Sequence, residues 1–180
     1  MFRFFKELFN PTTRRMKKQA STGDVSAPDT ILTGIVWTFN RKPYDSRLEF
    51  DEEVARYQKD IFRERANWKG SEIVIDVPEI EICYEAWIRD MEDLKSNEEL
   101  AAEERKALRE NHGEDGFFQV EISAVLQAAN GTSFTALDLM YQMEHQVSNK
   151  ELGDHVFFEG FRRVREYQGS FPLYHMYCGS

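Results

Sequence analysis

The sequence predicts an α+β fold, a mainly antiparallel sheet packed with three to four helices, and three observations carry that expectation. Segments of strand-like alternation and segments of helical period succeed one another along the chain without any internal repeat. The last two strand-like segments, HVFFEGFRRV and FPLYHMYC, flank a Gln168-Gly169-Ser170 turn, which pairs them. Hydrophobic residues make up 41% of the 180, including 14 Phe. A domain of that size buries roughly 70% of its unfolded surface, so this apolar content suffices for one core.

Taken in order, Phe2, Phe5 and Phe9 recur at helical spacing, with Phe4 and Leu8 widening the face, and Asn10-Pro11 stops the pattern. Residues 1–10 are therefore read as an amphipathic arm. Residues 11–30 hold turn formers and little that is apolar, and read as a flexible basic linker. Residues 31–180 form a single acidic α+β domain. Within it, Ile31 to Phe39 is the first strand, rich in β-branched and aromatic residues. From about Glu49 the period changes: Phe50, Val54, Tyr57 and Ile61 share one helix face, and this helix ends before Lys69-Gly70.

Glu72 to Tyr84 alternates, with the apolar phase shifted by one after Pro78; this predicts either an edge strand with a bulge or two short strands. Residues 97–111 read as a charged outer helix with Asn97 as N-cap and acids in its opening turn. Phe118, Val120, Ile122, Ala124 and Leu126 alternate with polar residues, as a half-buried strand does. Asn130-Gly131 is a turn, and Thr135 and Asp138 then have capping-box spacing for the helix ALDLMYQMEHQV.

Charge limits the function classes. The net charge is −9; residues 1–20 hold six basic side chains against Glu7 alone, a local +5, which leaves −14 for residues 21–180. So acidic a body repels phosphate backbones and is not expected to bind nucleic acid, whose affinity comes largely from Lys and Arg. It suits a basic protein surface, where complementary fields raise the association rate. No run approaches the ~20 apolar residues of a membrane span, so membrane contact is expected only through residues 1–10, and the chain is expected to stay in the cytoplasm. Cys83 and Cys178 suit neither a disulfide scaffold nor a zinc cage; they read as small buried hydrophobes, and no metal or cofactor is expected.

Two groups of polar residues are candidates for function. Glu72, Asp76, Glu79, Glu81 and Glu85 form an acidic stripe with no basic residue between Lys69 and Arg89. On an edge strand such a stripe is a docking surface for a cationic partner; alternatively it is a solvated face whose charges discourage aggregation. Trp68 and Trp87, at element ends beside charges, are candidate interface anchors, whereas Trp37 reads as core. The second group is His145, Asp154, His155 and Glu159, an imidazole–carboxylate set of the kind that serves a small hydrolase or metal-dependent enzyme. Its structural reading is that Asp154 serves a tight turn after Gly153 and His155 bonds backbone where the next strand begins. His175 reads as a core or interface histidine. The glycines and serines match no phosphate-binding or nucleophile-elbow pattern.

The segments LGDHVFFEGFRRV and PLYHMYCGS, with FTALDLMYQMEHQV before them, resemble the tail of bacterial immunity proteins from polymorphic or contact-dependent toxin systems. The likeness covers roughly the last fifty residues, lies in fold-defining positions, and transfers no functional residue. It implies a protein that neutralises a cognate toxin by tight binding; the acidic body suits a toxin domain that is cationic.

Overall fold

The computed structural model describes residues 27–42, 44–110 and 116–180, and its architecture is α+β. The amphipathic arm and most of the linker lie outside the described residues. Residues 27–30, which composition placed in the linker, belong to the folded body: Ala27 is buried, and the Tyr174 hydroxyl donates to the Pro28 carbonyl.

The centre is a ten-by-ten antiparallel pair. Strand β4 (Glu79–Ile88) runs against β6 (Phe118–Gln127) from Glu79 opposite Gln127 to Ile88 opposite Phe118. Strand β5 (Glu98–Leu100) extends the sheet beyond β6. On the other flank β9 (Leu173–Gly179) pairs with β4 in parallel and with β8 (Phe157–Arg163) antiparallel. The predicted first strand is instead two, β1 (Thr30–Ile31) and β2 (Trp37–Thr38), both pairing with β8. Leu32 and Gly34, at φ 57° and 97°, turn the chain between them, and β8 answers with a bulge at Gly160.

The Glu72–Tyr84 segment splits at Pro78 into β3 (Ile73–Ile75), which pairs with β7 (Phe134–Thr135) in a separate small sheet, and β4. Of the two expectations for this segment the edge strand is overturned, since β4 lies between β9 and β6.

Helix α1 (Arg47–Phe62) begins earlier than its apolar period suggested, because Ser46 Oγ accepts the Glu49 amide at 3.1 Å as N-cap. Phe50 and Val54 are buried as expected, but the row continues to Gln58 and leaves Ile61 49% exposed. Gln58 is tolerated there because its amide donates to the Val36 carbonyl. Asn97 is not an N-cap. Its neighbours Glu98 and Leu100 turn inward on β5, and α2 (Ala102–Glu110) starts after them. The cap of α3 (Ala136–Val147) is as predicted, with Thr135 Oγ1 accepting the Asp138 amide at 3.1 Å.

Helices α1 and α3 cover one face of the large sheet. Phe50, Val54, Leu139, Met143 and Val147 meet Ile80, Ile82, Tyr84, Ile122 and Tyr174 in one core. Trp37 joins that core edge-on to Phe50 at 5.3 Å. Among the described residues no helix is long and apolar enough to cross a membrane.

Candidate functional site

The alternation that buries the even residues of β4 turns Glu79, Glu81, Cys83, Glu85 and Trp87 to the opposite face of the sheet. From β6 the same face receives Gln119, Glu121, Ser123, Val125 and Gln127, and from β9 Leu173, His175 and Tyr177. None of these positions is Lys or Arg.

Three of the five predicted stripe residues are therefore neighbours on a central strand. Glu72 and Asp76 are not with them; both are exposed, one on either side of β3 of the small sheet. The three carboxylates are met by neutral donors rather than cations. Gln127 donates to Glu79 at 2.9 Å, Ser123 and Tyr167 hydroxyls donate to Glu81, and Gln119 donates to Glu85 at 3.4 Å. Trp87 is half-buried on this face. Trp68 is elsewhere, its indole donating to Asp51 at 2.6 Å beside a cleft of about 680 Å³.

At the middle of this face, where α2 partly covers it, the register brings three donor side chains together. Cys83 sits opposite His175 across the parallel pair, and Glu121 lies diagonally across from Cys83 on β6. One ligand-type atom from each lies within 4.8 Å of the others, the one such His/Cys/Asp/Glu group among the described residues. His175 Nε2 is 3.6 Å from a Glu121 oxygen. The imidazole, then the thiol, hold the Glu121 carboxyl below the ordinary carboxylate range. Burial, reinforced by Glu121, Glu104 and Glu81, pushes the Cys83 thiol far up, so it is protonated at neutral pH and is not a prepared thiolate nucleophile. Glu104 completes the group from α2: one oxygen accepts the Glu121 amide at 2.8 Å where β5 has ended. Its carboxyl is raised, first by burial and then, against that hydrogen bond, by Glu121 and Glu85.

The predicted imidazole–carboxylate set is not brought together as a donor group among the described residues. Asp154 and His155 are exposed neighbours 3.5 Å apart in a turn that Gly153 enters at φ 62°. The His155 amide donates to Leu152 O at 3.1 Å, before β8 begins. Glu159 is exposed beside the β8 bulge. His145 is on α3, its ring 4.4 Å from that of Tyr141 and its Nε2 buried without a hydrogen-bond partner.

Sequence reasoning missed the Cys83–Glu121–His175 group because each residue alone reads as ordinary. The alternation did hold a trace: Cys83 shares the parity of Glu81 and Glu85, and Glu121 that of the outward positions of its strand. What no local pattern supplies is that β9 inserts beside β4 in parallel and sets His175 against Cys83. The fold and site thus define an α+β domain with one helix-covered and one acidic sheet face. Compared with protein-family models, curated proteins and solved structures, the chain matches none of them.

Proposed function

We propose that this protein acts by binding another protein, as an immunity-type inhibitor that seats a cationic toxin domain on the open face of its sheet. The observation that carries the reading is the run of outward positions on β4, β5, β6 and β9. These positions gather Glu79, Glu81, Glu85, Glu99 and Glu121 and include no lysine or arginine. Arg105 pairs with Glu99 at 3.8 Å at one margin, so the field is set by Glu79, Glu81, Glu85 and Glu121. A predominantly negative sheet face steers an oppositely charged surface and rejects like-charged ones. Toward β8 the same face offers apolar contact: Phe157 and Tyr177 are 48% and 42% exposed, with Arg162 stacked over the Tyr177 ring. Carboxylates for approach and aromatics for grip are the division of labour that protein interfaces use.

The test asks first whether the adjacent gene encodes a basic toxin domain, then pairs that domain with the purified chain and follows association and dissociation at several salt concentrations. A stable complex is expected. The triple variant E79Q/E81Q/E85Q should associate at least tenfold more slowly, with a flatter salt dependence. Absence of a complex on co-expression refutes the reading, as does a variant that associates like the parent.

A further inference from the structure

We propose that Cys83, Glu121 and His175 bind one thiophilic divalent cation, zinc above all, on the outer face of the sheet. This site shares Glu121 with the acidic face but uses none of the three carboxylates altered in the binding test, so the two can fail separately.

The donor chemistry comes first. A thiol, an imidazole and a carboxylate are the three ligand types of protein zinc sites, and thiolate with imidazole selects zinc, cobalt or nickel over magnesium and calcium. Three protein ligands leave a fourth position for water. The ligand atoms already lie within 4.8 Å of one another. In a tetrahedral zinc site, bond lengths of about 2.0–2.3 Å bring donors to roughly 3.5 Å. Side-chain rotation covers the difference, because the three residues stand on adjacent hydrogen-bonded strands and the backbone is already in place.

Unmet valences are the second observation. Nδ1 of His175 and Oε2 of Glu104 are both buried without a hydrogen-bond partner. Coordination through Nδ1 would satisfy that imidazole atom and fix the ring, and the water completing the ion's shell would donate to Glu104. Electrostatics agrees, for Cys83 faces the carboxylates of Glu121, Glu104 and Glu81, which favour a cation among them. Binding exchanges one ion for one proton: the Cys83 S–H bond breaks, sulfur coordinates the metal as thiolate, and the proton passes to solvent with no change of oxidation state.

The experiment titrates the reduced full-length chain with Co²⁺, whose thiolate complexes show a near-ultraviolet charge-transfer band, in weak buffer with a pH indicator. One Co²⁺ per chain, about one proton released per ion, and displacement by Zn²⁺ are expected. The band should vanish in C83S and persist in C178S. H175Q and E121Q should each lower affinity at least tenfold, while H155Q should not. Metal-free melting curves establish that each variant is folded, and if C83S is not, H175Q against C178S decides. The proposal is overturned if the folded parent develops no band at millimolar Co²⁺. It is equally overturned if the band survives in C83S, disappears in C178S, or forms at parental affinity in H175Q.

Discussion

The buried ion pair between Lys150 and Glu98 should be the most sensitive single point of the core. Nζ and Oε2 are 2.8 Å apart and both side chains have no exposed surface. Every donor and acceptor is used. Lys150 also donates to Gln146 O at 3.2 Å and to Asn149 at 3.0 Å. Glu98 also accepts from the Tyr84 hydroxyl, the Gln146 amide and the Lys95 amide. Lys150→Met keeps the aliphatic stem but leaves Glu98 a buried charge without its counter-ion, a loss of about 3–5 kcal/mol. At about 2–4 °C per kcal/mol for a domain of this size, the melting temperature should fall by roughly 6–20 °C. Urea unfolding followed by tryptophan fluorescence gives the free energy directly. The double variant K150M/E98Q should be less damaged than the sum of its singles by at least about 1.5 kcal/mol, because it no longer strands a charge. A K150M loss below about 1 kcal/mol, or strict additivity, would refute the view that this pair is a closed, dry network.

Glu144 should make stability depend on pH. It is fully buried, and burial pushes its carboxyl from 4.5 to about 7 against the pull of the Trp37 indole and the Asn40 and Arg41 amides. Between those two values the folded protein keeps a proton that the unfolded chain has released. Stability therefore falls as pH rises through that window, by about 3 kcal/mol at pH 8. The unfolding free energy of E144Q relative to the parent should accordingly improve by that amount from pH 4 to pH 8, and a pH-independent difference would exclude it. At the β8 bulge Gly160 has φ 123°, and an added Cβ would lie 3.1 Å from the Ile31 carbonyl oxygen and 3.0 Å from Thr33 Cγ2. Gly160→Ala should cost about 2–3 kcal/mol. Gly34→Ala, at φ 97° but with open space around it, should cost less in the same urea titration.

The fold class was legible because burial writes itself into period. The alternation of 118–126 and the Thr135–Asp138 cap read through without loss, since both are local. Misreadings occurred where a long-range partner overruled a local preference. The Asn97 segment has the composition of a helix start, yet Glu98 finds Lys150 some fifty residues on and is drawn into a strand. The stretch Ile31–Phe39 has strand propensity throughout, yet Leu32 and Gly34 fold it back so that both halves meet the same partner. The acidic stripe was visible as composition but not as location, because an edge strand and a central one have similar sequences when neighbouring glutamines and serines supply the donors. The Cys83 group needed the register of β4, β6 and β9, and neither pairing that aligns them is a hairpin.

Strand β9 has a consequence for how the molecule assembles. On one side of it stand β1, β2 and β8, on the other β4, β6 and β5, and among the described residues no other strand-to-strand pairing joins the two halves of the large sheet. The helices also pack on both halves, but the two become one continuous sheet only when residues 173–179 pair on both sides, like a keystone. That step closes a loop of about ninety residues against β4, a slow event by the entropy of long-range closure. Until then two raw edges are bare, and during synthesis this is the interval in which a stray strand from a neighbouring polypeptide has its opening.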